Sequence, residues 1–152
     1  MNVYNVVDDI KDLLQGDSTL VAHLTNANRI LPIWAVSDEG VSTLRNPEVY
    51  SNGILQTHII IKPGPAFHEW QIQAYDVSSI LQQVDILIYS GTTYKSQLDA
   101  IPMVYSAIHG KKLATAGGII THWVDYYPVT IGDLESQRVV RSVYEVNGIR
   151  EL

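Results

Sequence analysis

QQVDILIYSGTTYKSQLDAIPMVYSAIHG, residues Gln82 to Gly110, decides the fold. It reads as one strand, one turn and one amphipathic helix, with no catalytic motif near it. Val84, Ile86 and Ile88 alternate with Asp85, Leu87 and Tyr89, the period of a strand. Gly91, Thr92 and Thr93 break that run, and either threonine is suited to cap a helix. Tyr94, Leu98, Ile101, Tyr105 and Ile108 then recur at steps of four and three, drawing one apolar stripe. His109, Gly110, Lys111 and Lys112 make a helix end: a glycine free to adopt φ > 0 beside cations suited to the negative end of the dipole. Pro102 lies inside the stripe, where proline costs ~3 kcal/mol. The helix therefore either kinks there or begins near Leu98, and Tyr94, which already continues the stripe, favours the kink. If the stripe is the core, Leu98→Asp or Tyr105→Asp should unfold the domain.

Working outward, Val3, Val6, Val7, Ile10, Leu13 and Leu14 form a second helical stripe, with Asp8, Asp9, Lys11 and Asp12 on the other side. Asn2 suits its N-cap and Gly16 its stop. Asp17 or Ser18 can start a further short helix through Leu20, Val21 and Leu24. Helices this short need something to dock on, and each large side chain they bury contributes about 1.5–3 kcal/mol. Arg29 to Leu31 is a short apolar run stopped by Pro32. Ser37 to Gly53 is polar and turn-rich and reads as a long loop, either functional or a mere excursion.

Ile54 to Lys62 reads as a strand ended by Pro63, Gly64 and Pro65. His68 to Tyr75 alternates again, with Trp70, Ile72 and Ala74 against a polar face of Glu69, Gln71 and Gln73, and Asp76, Ser78 and Ser79 interrupt it. Gly117 and Gly118 form a turn before a strand from Ile119 to Tyr127, stopped by Pro128. After a loop from Ile131 to Ser136, a last strand runs from Arg138 to Val146, ended by Asn147 and Gly148. The order is helix, short helix, strands, one long helix, strands. Short turns between strands imply a mainly antiparallel sheet, and segregated helices imply the α+β class, with the helices on one sheet face. The other face is expected to be left for solvent or for neighbouring subunits.

The chain has 152 residues, which suits a single domain over 1–152 able to bury a core without metals or disulfides. Hydrophobic residues make up 46% and charged ones 17%, a globular balance. Nine Tyr and three Trp stand against one Phe, which points either to surfaces that other proteins touch or to the rim of a small sheet. Cysteine is absent, which excludes disulfides and thiolate metal sites. A net charge of −6 argues against stable nucleic-acid binding. No apolar run approaches a membrane span, and Met1 leads into an amphipathic segment rather than a secretion signal. A soluble protein made in the cytosol is expected.

Chemistry is thin. His23, His58, His68, His109 and His122 are scattered with no i, i+4 pair, and His122 and Asp125 point to opposite faces of a strand. No Gly-x-Ser-x-Gly elbow and no phosphate loop occurs, and no acidic pair sits in a frame for acid/base work. No catalytic, cofactor-binding or metal residue is assigned, no cofactor is expected, and the chain does not read as an enzyme.

The layout as a whole does carry a resemblance. "LLQGDSTLVAHL" from Leu13 with "RILP" behind it, "VDILIYS" running into one long helix, and the closing "RSVYEVNG" lie in order along nearly the whole chain. This resembles the tail-terminator and minor tail proteins of long-tailed bacteriophages, the lambda-like tail-terminator family. The resemblance implies a virion structural protein of the neck, assembled in the host cytoplasm. It implies a homo-oligomer, a hexameric ring that caps the tail tube, stops its elongation and presents the head-docking surface. Its partners would be the tail tube protein and the head-tail connector, with DNA only passing through the lumen and no membrane. The long loop and the extended "EWQIQAYDVSS" stretch depart from the family pattern and leave open another neck or head-completion protein; a ligand-binding or enzymatic α+β domain is the remaining alternative. An acidic lumen would let DNA pass without sticking, and Asp38, Glu39 and Glu48 are candidates to line it. Free sheet edges are a liability that cyclic assembly, through the edge or the face, would remove.

Overall fold

The computed structural model describes residues 1–35, 49–51, 54–72, 77–90, 93–129 and 138–151. Among these residues three α-helices and seven strands follow in the order α1 (Val3–Gln15), α2 (Ser18–Leu24), β1 (Ile30–Pro32), β2 (Tyr50–Ser51), β3 (Ile54–Leu55), β4 (His58–Ile72), β5 (Val77–Ser90), α3 (Tyr94–Ile108), β6 (Ile119–Val129) and β7 (Arg138–Glu151). The main sheet has the order β1-β4-β5-β7-β6. β1 runs parallel to β4, and every other pair in this sheet is antiparallel. β2 and β3 form a separate antiparallel hairpin. The fold is α+β, as the sequence implies.

Local chemistry explains the helix ends. The Asn2 side chain accepts a hydrogen bond from the Tyr4 amide at 2.9 Å, and Asp17 does the same for Leu20 at 2.9 Å. Gly16 closes α1 in the right-handed region, at φ −80°, so it stops the helix without the left-handed turn expected of a glycine cap. Gly110 does adopt that conformation, at φ +73°. Thr93 is the N-cap residue of α3 but makes no side-chain cap bond. α3 continues through Pro102, which is exposed.

The helices cover one sheet face. Val6, Val7, Ile10 and Leu14 of α1, Leu20 and Leu24 of α2, and Ala100, Val104, Ala107 and Ile108 of α3 are buried against Ile59, Ile61, Val84, Ile86, Ile88, Tyr144 and Val146. The buried stripe of α3 is therefore Gln97, Ala100, Val104, Ala107 and Ile108, turned about one position from the stripe read in the sequence. Tyr105 is 40% exposed and Leu98 only half-buried, so the expectation that Tyr105→Asp unfolds the domain is overturned. Gln97 takes the stripe's first position because its amide donates to the Ile88 carbonyl at 2.6 Å, which satisfies a polar group at the sheet.

Asp9 likewise departs from its expected solvent face. It is 7% exposed, and its carboxylate accepts from the Thr115 and Ala116 amides at 2.8 and 2.7 Å. Asp8 and Asp12 do face water, each 3.7 Å from Lys11.

Five strand boundaries need correction. The strand read from Ile54 to Lys62 is two: β3 ends at Leu55 and β4 starts at His58, in different sheets. β4 does not stop at Pro63-Gly64-Pro65 but passes through a bulge between Pro63 and Ala66. The Gln82 amide, itself buried, donates to the Gly64 carbonyl at 2.8 Å and closes that bulge. Beyond Ile61, β4 has left its β1 partner, so a missing proline N–H costs no ladder bond on that side. Ser78 and Ser79 lie inside β5, paired with β4 and β7. β6 includes Pro128, tolerated on an edge strand. β7 continues past Asn147 and Gly148, which pair with Leu81 and Ile80. The loop read from Ser37 to Gly53 contributes Tyr50–Ser51 to the β2–β3 hairpin, and residues 36–48 lie outside the described residues, as do the loop from Ile131 to Ser136 and the side chains of the polar face at Glu69, Gln71 and Gln73.

Gly118 is pinned. It holds φ +114°, and a Cβ there would lie 2.6 Å from the Asn147 carbonyl oxygen. Gly118→Ala is expected to cost about 2–4 kcal/mol through backbone strain and the clash. Urea unfolding monitored by circular dichroism checks this, and Gly110→Ala, which meets nothing within 4 Å, is the control for φ strain alone.

Candidate functional site

Chemistry does not converge anywhere among the described residues, where no three His, Asp or Glu lie close enough to hold a metal ion. Among the described residues, His23, His58 and His109 sit in separate surroundings. His23 hydrogen-bonds through Nε2 to the Ser96 carbonyl at 2.7 Å and so ties α2 to α3. His109 is exposed and stacks on Tyr105 with ring centroids 4.5 Å apart. The side chains of His68 and His122 lie outside the described residues, as do Asp38, Glu39 and Glu48, the candidate lumen residues.

The sheet face away from the helices is not simply open. Ile60, Leu87, Tyr89 and Val139 form a second buried cluster there, with Ile33 packed on it. This corrects the expectation that the whole face is left for solvent or neighbours. The reason lies in the opening stretch: Ile86, Leu87, Ile88 and Tyr89 are all apolar, so β5 buries both of its faces at that end. Further along the same face, Arg141 pairs with the buried Asp85, Nη2 lying 2.8 Å from Oδ2.

His58 sits beside this cluster and is fully buried. Its ring stacks on Tyr89, centroids 4.7 Å apart and planes 10° from parallel. Nδ1 donates to the Gln56 carbonyl at 2.8 Å, which leaves Nε2 of the neutral ring unprotonated, and Nε2 has no hydrogen-bond partner among the described residues. Burial lowers the imidazole pKa to about 4, against a smaller opposing effect of the Gln56 bond and with help from the Arg29 charge. Burial likewise raises the Tyr89 phenol. At neutral pH the ring is uncharged and packs as part of the sheet. Sequence reading placed it in a strand but had no signal for its burial, since His58 precedes rather than continues the apolar run of Ile59 to Ile61.

What the molecule offers a partner is surface. Tyr4, Trp34, Ile54, Phe67, Tyr105 and Ile119 are exposed large apolar side chains. Tyr4 and Trp34 meet at 5.2 Å between ring centroids. Tyr4 also borders a cleft of about 610 Å³ between the start of α1 and the β4 bulge, floored by Ile80 and Gln82 and walled by Pro63, Gly64 and Ala66. The tyrosine excess thus divides: Tyr4 and Tyr105 face outward, whereas Tyr89 and Tyr144 are core. The sheet edges are poorer docking elements. β1 spans three residues and ends in Pro32, and β6 carries Pro128 and two register irregularities.

A virion particle contains this fold. The chain is similar to a chain in the solved structure of the virion of a native gene transfer agent particle, with a TM-score of 0.62 and 12% identity over 93% of this chain and 92% of the other. No family model and no curated protein matches the chain. The likeness spans the helices and the sheet together, so it concerns the whole arrangement of elements and not one motif.

Proposed function

We propose that this protein is a structural component of a phage-like virion, acting as a tail terminator. The carrying observation is the end-to-end fold likeness to a virion chain, 93% of one chain on 92% of the other. The lambda-like element order along the sequence supports the same reading. In this proposal the protein is not an enzyme and works through contact surfaces: copies join in a ring, the ring caps the tail tube and ends its growth, and its other side receives the head connector. DNA passes through the lumen.

The physical features agree with that work. Blunted edges disfavour strand-to-strand ring closure, so the contacts between copies would use side-chain surfaces such as that around Tyr4 and Trp34. The net charge of −6 suits a lumen that does not hold DNA.

The test is tube growth in solution. Tail tube protein is polymerised with and without this protein, and tube lengths are measured by electron microscopy. Capped tubes of shortened length, with a ring at one end, are expected. Tubes of unchanged length together with tight binding to a twelve-fold head connector would instead assign the protein to another position in the neck.

A further inference from the structure

We propose that His58 is a proton-operated latch: charging its ring drives it from the sheet and frees the hairpin from Val49 to Gln56, while Thr57 stays tied to α3. The geometry supplies each part. His58 has no exposed surface, and its Nε2 has no acceptor among the described residues to receive a proton's hydrogen bond. A protonated ring would be a buried cation with one donor unsatisfied, which the interior does not tolerate. Among the described residues the surroundings offer no relief. From β5 the ring meets Tyr89, a neutral phenol. From the turn before β1 the charge it feels is that of Arg29, of the same sign. Further along this face Asp85 is already engaged by Arg141. On the helix side, His23 and Ser96 lie beside Thr57, with His23 bound to the Ser96 carbonyl.

The fixed point and the moving part are separate. Thr57 Oγ1 lies 3.0 Å from Ser96 Oγ, which anchors the linker to α3. The hairpin is small, two residues in each of β2 and β3, and the Gln56 amide donates to the Val49 carbonyl at 2.7 Å to close it. The Gln56 carbonyl is the atom that His58 Nδ1 holds. Expelling the imidazole therefore removes this hold on the hairpin and uncovers the stacked face of Tyr89.

The sign follows from linkage. A histidine whose folded pKa is lowered stabilises the closed state fully above the ordinary value of 6.5, and the effect is lost as pH falls toward about 4. Between pH 7.5 and pH 5 the opening equilibrium should rise about 30-fold. Hydrogen exchange of the whole protein, corrected for intrinsic rates, reads this directly. The Gln56 amide and its hairpin neighbours should lose protection by that factor at pH 5, while β5 and β7 amides change far less. In His58→Phe, which keeps an aromatic ring on Tyr89, the pH dependence of the hairpin should vanish. Hairpin protection that ignores pH, or that falls in step with β5 and β7, overturns the latch on the wild-type protein alone. Persistence of the pH dependence in His58→Phe overturns it too.

Discussion

Val104→Asp is expected to abolish cooperative folding at neutral pH, whereas Tyr105→Asp, one residue on, should leave a folded protein. Val104 has no exposed surface and packs in the cluster that joins α3 to the sheet. A carboxylate there loses the transfer energy of the valine and gains a buried charge with no cation beside it among the described residues. The sum exceeds about 5 kcal/mol, comparable with the whole stability of a domain this size. Tyr105 is 40% exposed and stacks on His109 at the surface, so its replacement should shift stability by no more than about 1 kcal/mol. Thermal unfolding followed by circular dichroism separates the two. Equal melting of both variants would show that the helix is turned differently on the sheet.

Asp9→Ala should cost about 2–4 kcal/mol, an unusual effect for an acidic residue on an amphipathic helix. Its carboxylate accepts from both the Thr115 and Ala116 amides, across 106 and 107 residues of sequence. Removing it strands two amides that are otherwise satisfied by a charged acceptor. It also cuts a link between α1 and the turn that leads into β6, so exchange protection at Thr115 and Ala116 should fall first. Asp9→Asn keeps an oxygen that can accept from both amides and should lose about half as much. Denaturant midpoints of the two variants give the comparison, and a loss equal to that of a surface Asp8→Ala would contradict the assigned role.

The legibility of this fold in its sequence follows the strength of periodicity. The stripe Val6, Val7, Ile10 and Leu14 in α1 is found buried as read, and the N-caps of α1 and α2, Asn2 and Asp17, are among the residues expected. In α3 the stripe read from the sequence is not the buried one, because two neighbouring stripes compete. Tyr94, Leu98, Ile101 and Tyr105 outrank Gln97, Ala100 and Ala107 in hydrophobicity, yet small residues let the helix approach the sheet, and tyrosine tolerates the surface. Strand ends escape the local reading at Pro63, Pro128 and Gly148, though not at Pro32, because neighbour pairing decides what those residues do. The second cluster has a local signal, since Leu87 and Tyr89 sit on the alternate face of β5. Asp9 and His58 left no local trace, because their partners come from distant segments.

These surfaces bear on the proposed role. A chain that assembles through faces needs exposed apolar groups, and Tyr4 with Trp34 is such a group beside a cleft. Trp34→Ser should weaken assembly by more than it lowers monomer stability, since Trp34 is 38% exposed and packs on Tyr4. Sedimentation of the variant against wild type reads that difference.

The most direct measurement of the central claim is native mass spectrometry across a concentration series, with images of the same sample. The tail-terminator account predicts a closed ring of six copies of the 17.0 kDa chain that binds the end of a tail tube. A strictly monomeric particle at high concentration, with no affinity for tube or connector, would contradict it.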